Sequence, residues 1–164
     1  MNLLYNTGIR AYALGAKLFA LRNAKAGKMV KGQKETFARL SEAIVAGKKY
    51  VWIHAASLGE FEQGRPFIEK LKREKPELGV ILTFFSPSGY EVRKDYPLAD
   101  VVCYLPMDKP SLVRRFLDAV KIEKAFFVKY EFWGNYLSEL KRRGIPTYII
   151  SAIFRPTQAF FKWY

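Results

Sequence analysis

From Tyr50 onward, short apolar runs alternate with segments of helical periodicity, and this alternation limits the possible fold more than any other feature of the chain. The runs are YVWIHAA (50–56), VILTFF (80–85), VVCYL (101–105), AFFVKY (125–130) and TYIIS (147–151). Between the first two, FEQGRPFIEKLKRE (61–74) carries Phe67, Ile68 and Leu71 on one helical face. SGYEVRKDY (88–96) is a shorter helix. KPSLVRRFLDAV (109–120) has Pro110 near its first turn and Leu112, Val113, Phe116 and Leu117 at helical spacing. FWGNYLSELKRR (132–143) stops at Gly144, with Pro146 just beyond. Strands that alternate with helices predict an α/β domain: a Rossmann-like parallel sheet flanked by helices. Its predicted span is residues 48–164, with a boundary in the AGKK stretch at 46–49. No GxGxxG follows any strand, so the layout does not suggest a dinucleotide.

Ligands of such sheets gather at the carboxyl ends of the strands. Five motifs fall there: HAASLGE (54–60), FSPSG (85–89), LPMD (105–108), YEFWGN (130–135) and SAIFR (151–155). In the first, Ser57 and Gly59 precede Glu60 at the start of a helix. Glu60 has two readings, a general base poised over a hydroxyl or an acid that stabilises a helix N-terminus. His54 is a buried strand residue or a catalytic one. Ser86, Ser88 and Gly89 form a small-residue turn suited to phosphate, or an ordinary N-cap. Glu131, between aromatic residues and near Asn135, either hydrogen-bonds a polar substrate such as a sugar or caps a helix. Arg155 clamps a phosphate or carboxylate, or is solvated. Lys129 is a site residue or a surface charge.

The chain carries a formal charge of +13, which points to an anionic partner. No acid precedes Glu35, whereas Arg10, Lys17, Arg22, Lys25, Lys28, Lys31 and Lys34 do. Residues 3–21 are apolar, with Arg10 and Lys17 on one helical face and Leu4, Leu14, Leu18 and Leu21 on the other. Two charges inside the segment argue against a spanning helix and against a signal peptide. Residues 1–47 therefore read as a basic amphipathic segment that lies on an anionic membrane surface, or as a helix that packs on the domain. A lone cysteine, Cys103, and a lone histidine exclude an internal disulfide and argue against a zinc cluster. No metal and no cofactor is expected.

Taken in order, the strand-end motifs resemble the N-terminal half of the Kdo (3-deoxy-D-manno-octulosonic acid) transferases, inverting glycosyltransferases of the GT-B type. The family's S-x-G-E is matched by Ser57-Leu58-Gly59-Glu60, its T-x-T-G by Ser86-Pro87-Ser88-Gly89, and its L-P-x-D by Leu105-Pro106-Met107-Asp108. Its E-T-E-L-W-P-N aligns with Lys129-Tyr130-Glu131-Phe132-Trp133-Gly134-Asn135, and R-G-I-P stands intact at Arg143-Gly144-Ile145-Pro146. Three positions depart. Lys129 replaces the first glutamate, Gly134 the proline, and Ile153 the arginine of N-A-R-L-S, with Arg155 two residues further on.

The resemblance implies an activity. Glu60 is the general base that removes a proton from a hydroxyl of a lipid A precursor. That oxygen attacks the anomeric carbon of Kdo in CMP-Kdo, and CMP leaves with inversion. Ser57, Gly59, Ser86, Ser88, Gly89, Glu131, Asn135 and Arg155 are the implied substrate-binding set. The implied location is the cytoplasmic face of the bacterial inner membrane. The family has two Rossmann-like halves and binds its nucleotide sugar mainly on the second, so residues 1–164 are expected to fold, and not to turn over CMP-Kdo alone. Two alternatives remain: a non-catalytic basic module for a membrane surface or nucleic acid, and a GT-B enzyme with another acceptor. Nucleic acid is not expected, because neither an aromatic base-stacking pair nor a recognition helix is evident.

Overall fold

A computed structural model describes residues 3–155. Five strands, β1 (Tyr50–Ala55), β2 (Gly79–Phe84), β3 (Val101–Tyr104), β4 (Ile122–Val128) and β5 (Thr147–Ile150), form one sheet of order β3-β2-β1-β4-β5. Every pairing is parallel. Six helices accompany them: α1 (Leu3–Ala20), α2 (Ala24–Ala43), α3 (Leu58–Glu74), α4 (Pro87–Arg93), α5 (Pro110–Asp118) and α6 (Gly134–Arg142). The predicted Rossmann-like α/β fold is the one observed. The strand order reverses between β1 and β4, so the ends of these two strands open the crevice where such sheets bind ligands.

Both faces of the sheet are covered, which is why β1, β2 and β3 are buried throughout rather than alternating. On one face Trp52 packs against Phe116 of α5, Phe127 of β4 and Tyr136 of α6, with ring centroids 5.1–5.4 Å away. The other face joins Val51, Ile53 and Leu82 to Phe61 and Ile68 of α3 and Tyr90 of α4. Helix α6 ends as its sequence predicts. Gly144 takes a left-handed φ of 67°, and the amides of Gly144 and Ile145 bond the carbonyls of Lys141 and Leu140.

Helix α2 closes the β3 edge. It places Leu40 in the first core and Met29 in the second. Thr36 Oγ1 donates to the Tyr104 carbonyl at 2.7 Å, and Gln33 Nε2 to that of Leu105 at 3.0 Å, so polar side chains satisfy groups at the end of an edge strand. Gly32 lies against Tyr104, where a Cβ would stand 2.2 Å from the ring.

Helix α1 packs through a narrow face of Tyr5, Ile9, Ala13, Ala16 and Ala20. Its leucines are largely exposed: Leu4, Leu14 and Leu18 are 77%, 61% and 60% exposed. Tyr5 and Asn6 tie its start to α6. Tyr5 Oη donates to Asp108 Oδ2 at 2.7 Å and accepts from the Gly134 amide at 3.0 Å, while Asn135 Nδ2 donates to Asn6 Oδ1 at 2.9 Å.

Candidate functional site

The chain leaves β1 through Ala56 and enters α3 at Leu58, with Ser57 as an N-cap whose side chain makes no capping hydrogen bond. Glu60, three residues on, turns back instead. Its Oε2 accepts from the Ala56 amide at 2.5 Å. Ser-x-x-Glu is the spacing of a capping box, in which the glutamate satisfies an orphan amide at the helix start. Here the glutamate reaches one residue further back, to the amide of Ala56 before the Ser57 N-cap, so neither bond of the box is made, and the contact instead fixes the carboxylate at the crevice. The other oxygen, Oε1, has no hydrogen bond among the described residues. Burial raises the pKa of Glu60; the Ala56 amide lowers it, the charge of Glu131 raises it, and His54 and Lys129 lower it, for a net upward shift. This environment holds a carboxylate in place and increases its appetite for a proton.

Glu131 stands at the end of β4, on the other side of the crevice. Trp133 Nε1 donates to its Oε2 at 2.8 Å, and His54 Nε2 lies 3.5 Å from the same oxygen. His54 is fully buried, with Nδ1 2.9 Å from Thr83 Oγ1 and 3.1 Å from the Thr83 carbonyl. A bare Nε2 lone pair facing a carboxylate would be repulsive, so the ring proton belongs on Nε2, with the Thr83 hydroxyl donating to Nδ1. Burial by itself raises the Glu131 carboxyl, but His54 and Trp133 outweigh it and hold the pKa below the ordinary value. The two acids are thus pushed apart, Glu60 toward the proton and Glu131 toward the charge, the pattern expected when two carboxyls divide two roles.

Lys129, between β4 and Glu131, adopts a left-handed φ of 62°. Its amide donates to the Ile150 carbonyl at 2.9 Å. A non-glycine residue in that region costs about 1–3 kcal/mol and recurs where a chain is re-aimed at a functional site.

The remaining predicted residues distribute unevenly. Ser57, Gly59, Glu60 and Glu131 come together at the ends of β1 and β4. Ser86, at the end of β2, adjoins them: its amide donates to the Ala56 carbonyl at 2.7 Å. Its hydroxyl caps α4, accepting from the Ser88 amide at 3.3 Å, with Ser88 Oγ 3.0 Å away. Ser88 is exposed, whereas Gly89 is buried for packing: a Cβ there would stand 2.3 Å from the Phe84 ring and 3.1 Å from the Leu58 amide. Asn135 is engaged elsewhere, its Nδ2 donating to Asn6 Oδ1 and to the Asp108 carbonyl. Arg155 is exposed beyond β5, in a segment that Tyr130 holds through hydrogen bonds with both the amide and the carbonyl of Ile153.

Asp108 was not singled out as a site residue, and it proves to be a hub. Fully buried, it accepts from the amides of Asn135 and Tyr136 at 3.0 Å each and from Tyr5. It supplies the N-terminal cap that Trp133 does not give α6. Nothing local in LPMD announces this, because the helix it caps begins 26 residues later.

A parallel sheet of this order, with two unlike carboxyls at its switch point and no dinucleotide-binding turn, defines a Rossmann-like domain of the kind that forms the N-terminal half of GT-B glycosyltransferases. Residues 31–163 match the family described as 3-Deoxy-D-manno-octulosonic-acid transferase (kdotransferase), and the chain belongs to that family. It is 33% identical over 103 residues to the 3-deoxy-D-manno-octulosonic acid transferase of Haemophilus influenzae, covering 62% of this chain and 24% of that protein. It is 33% identical over 112 residues to the enzyme of the same name from Aquifex aeolicus, covering 68% and 30%, and 26% identical over 145 residues to that of Chlamydophila psittaci, covering 87% and 34%. The matches span about a quarter to a third of these relatives.

Proposed function

We propose that this chain is the acceptor-binding, N-terminal portion of a transferase that moves Kdo from CMP-Kdo to a lipid A precursor in lipopolysaccharide synthesis, with Glu60 as general base. One observation carries this reading: of the two carboxyls at the switch point, Glu60 is held through one oxygen, open at the other, and raised in pKa by burial. A base of this kind accepts the acceptor hydroxyl proton as the oxygen bonds to the anomeric carbon of Kdo and the bond to CMP breaks. Inversion follows from attack opposite the leaving group. Glu131, kept anionic beside His54 and Trp133, is placed to hydrogen-bond the hydroxyls of a sugar. Ser57 and Ser86 line the neighbouring edge. The donor nucleotide is assigned chiefly to the part of the relatives that these matches do not span.

The second element of the proposal is attachment to the cytoplasmic leaflet of an inner membrane. Helix α1 turns Leu4, Leu14, Leu18 and Phe19 outward, and Arg10 and Lys17 are exposed beside Leu14 rather than on the opposite face, as the sequence had suggested. That suits a helix lying in an anionic lipid interface. No described helix is long and apolar enough to cross a membrane.

The test is Glu60→Gln in the enzyme assayed with CMP-Kdo and a tetraacyl lipid A precursor. Gln keeps the acceptor for the Ala56 amide and removes the base. Transfer is expected to fall by about 10²–10⁴-fold with the fold intact. A rate within a few-fold of wild type assigns the base elsewhere.

A further inference from the structure

Away from the crevice, a second concave site lies between α1, α2 and the loop from β3 into α5. Its volume is about 330 Å³, within the range of small-ligand pockets. Ala13, Val30, Phe37 and Met107 contribute to an apolar floor, and Lys17, Lys34, Lys109 and Arg115 stand around it. No acid lines it. None of the four cations has a carboxylate partner among the described residues; Arg115 instead stacks on Phe37, 3.9 Å from the ring centroid. Asp108, next to Lys109 in the chain, is turned toward α6 and engaged there, and Glu35, next to Lys34, lies in a separate groove with Arg39 and Tyr90.

A further feature points the same way. Helix α5 begins at this pocket, and its N-cap, Lys109, makes no side-chain capping bond. Pro110 carries no N–H, and the amides of Ser111 and Leu112 in the same turn get no side-chain cap from Lys109. Four unpaired cations and an uncapped helix start ask for an anion with several oxygens. An apolar floor asks for carbon attached to it.

We propose that this pocket binds the phosphate headgroup and adjoining acyl carbons of a single membrane phospholipid of net negative charge. The lipid source is favoured by position. Lys17 belongs to the pocket, while Leu14, three residues before it on α1, and Leu21, in the turn just past the helix, are both exposed. A lipid held here has its headgroup among the cations and its chains continuing toward the outward leucines. Binding of this kind is stoichiometric, unlike the diffuse attraction of a basic surface. It stands apart from the sugar-transfer reading, since Glu60 and Glu131 are not in the lining.

The experiment is an NMR titration of the 164-residue chain with dihexanoyl phosphatidylglycerol below its micelle concentration, following the Met107 methyl and the Leu112 amide. A saturable shift at both is expected. Lys34→Gln with Arg115→Gln should weaken it at least tenfold, whereas Lys121→Gln with Lys124→Gln, the same loss of charge away from the pocket, should leave it within twofold. Arg115→Lys, which keeps the charge, should stay within about threefold, and dispersed spectra verify that each variant is folded. Dihexanoyl phosphatidylcholine and inorganic phosphate should give no saturable shift. Equal weakening by the two double variants overturns the proposal, as does phosphatidylcholine or inorganic phosphate binding as well as phosphatidylglycerol.

Discussion

Glu60 shows how one side chain serves structure and chemistry at once, because one oxygen holds the Ala56 amide just before the helix and the other stays open. Its raised pKa has a consequence for stability. The folded state binds the Glu60 proton more tightly than the unfolded chain does, so its contribution is fully present below the unfolded carboxylate range and is lost as pH rises through the folded value. Glu60→Gln should therefore be more stable than wild type at neutral pH, with the gap closing near pH ~4, as paired denaturant midpoints will show. Glu131 has the opposite sign, its stabilisation being lost as pH falls through its lowered pKa. His54→Leu should cost about 1–3 kcal/mol by leaving buried polar groups unpaired. It should also move the Glu131 titration upward in a carboxyl-detected NMR experiment. Sequence reasoning singled out Glu60 and Glu131 because they sit at strand ends. It left His54 open, since its pairing depends on β1–β2 register, which sets His54 beside Thr83, and no local pattern encodes that.

Among the elements, all five strands were legible within a few residues. The largest offset is at the start of β4, Ile122 rather than Ala125, because Glu123 and Lys124 interrupt its apolar run. Helix α2 also escaped: its basic and small residues read as a stretch over lipid headgroups, yet Leu40, Thr36, Gln33 and Gly32 fit it to the β3 edge. On α1 the leucines suggested the interesting face and the alanines turned out to be the packed one. Close approach makes glycines unequal. Gly89→Ala should destabilise by about 1–3 kcal/mol, since a Cβ meets Phe84 and the Leu58 backbone. Gly15→Ala, with nothing within 4 Å on exposed α1, should stabilise by about 0.4–1 kcal/mol. Thermal melts of the two will separate them by sign. The link between α1 and α6 should appear as coupling. Tyr5→Phe and Asp108→Asn, alone and combined, should give a double-mutant interaction energy of about 0.5–3 kcal/mol by urea denaturation.

For the whole molecule, a charge of +13 and an outward apolar helix face should act together. Leu14→Asp with Leu18→Asp should reduce co-sedimentation with phosphatidylglycerol vesicles about tenfold or more, and added salt should weaken the wild type too. Wild-type binding unchanged by both would remove the membrane element of the proposal. The contacts that anchor α1 also impose an order in time. Tyr5 and Asn6 bind Gly134 and Asn135, each pair 129 positions apart in the chain. At ribosomal rates of about 5–20 residues per second, roughly ten seconds separate the synthesis of the helix from that of its anchor. For that interval α1 has no α6 to hold it, and its leucines are free to meet whatever surface lies near the translating ribosome.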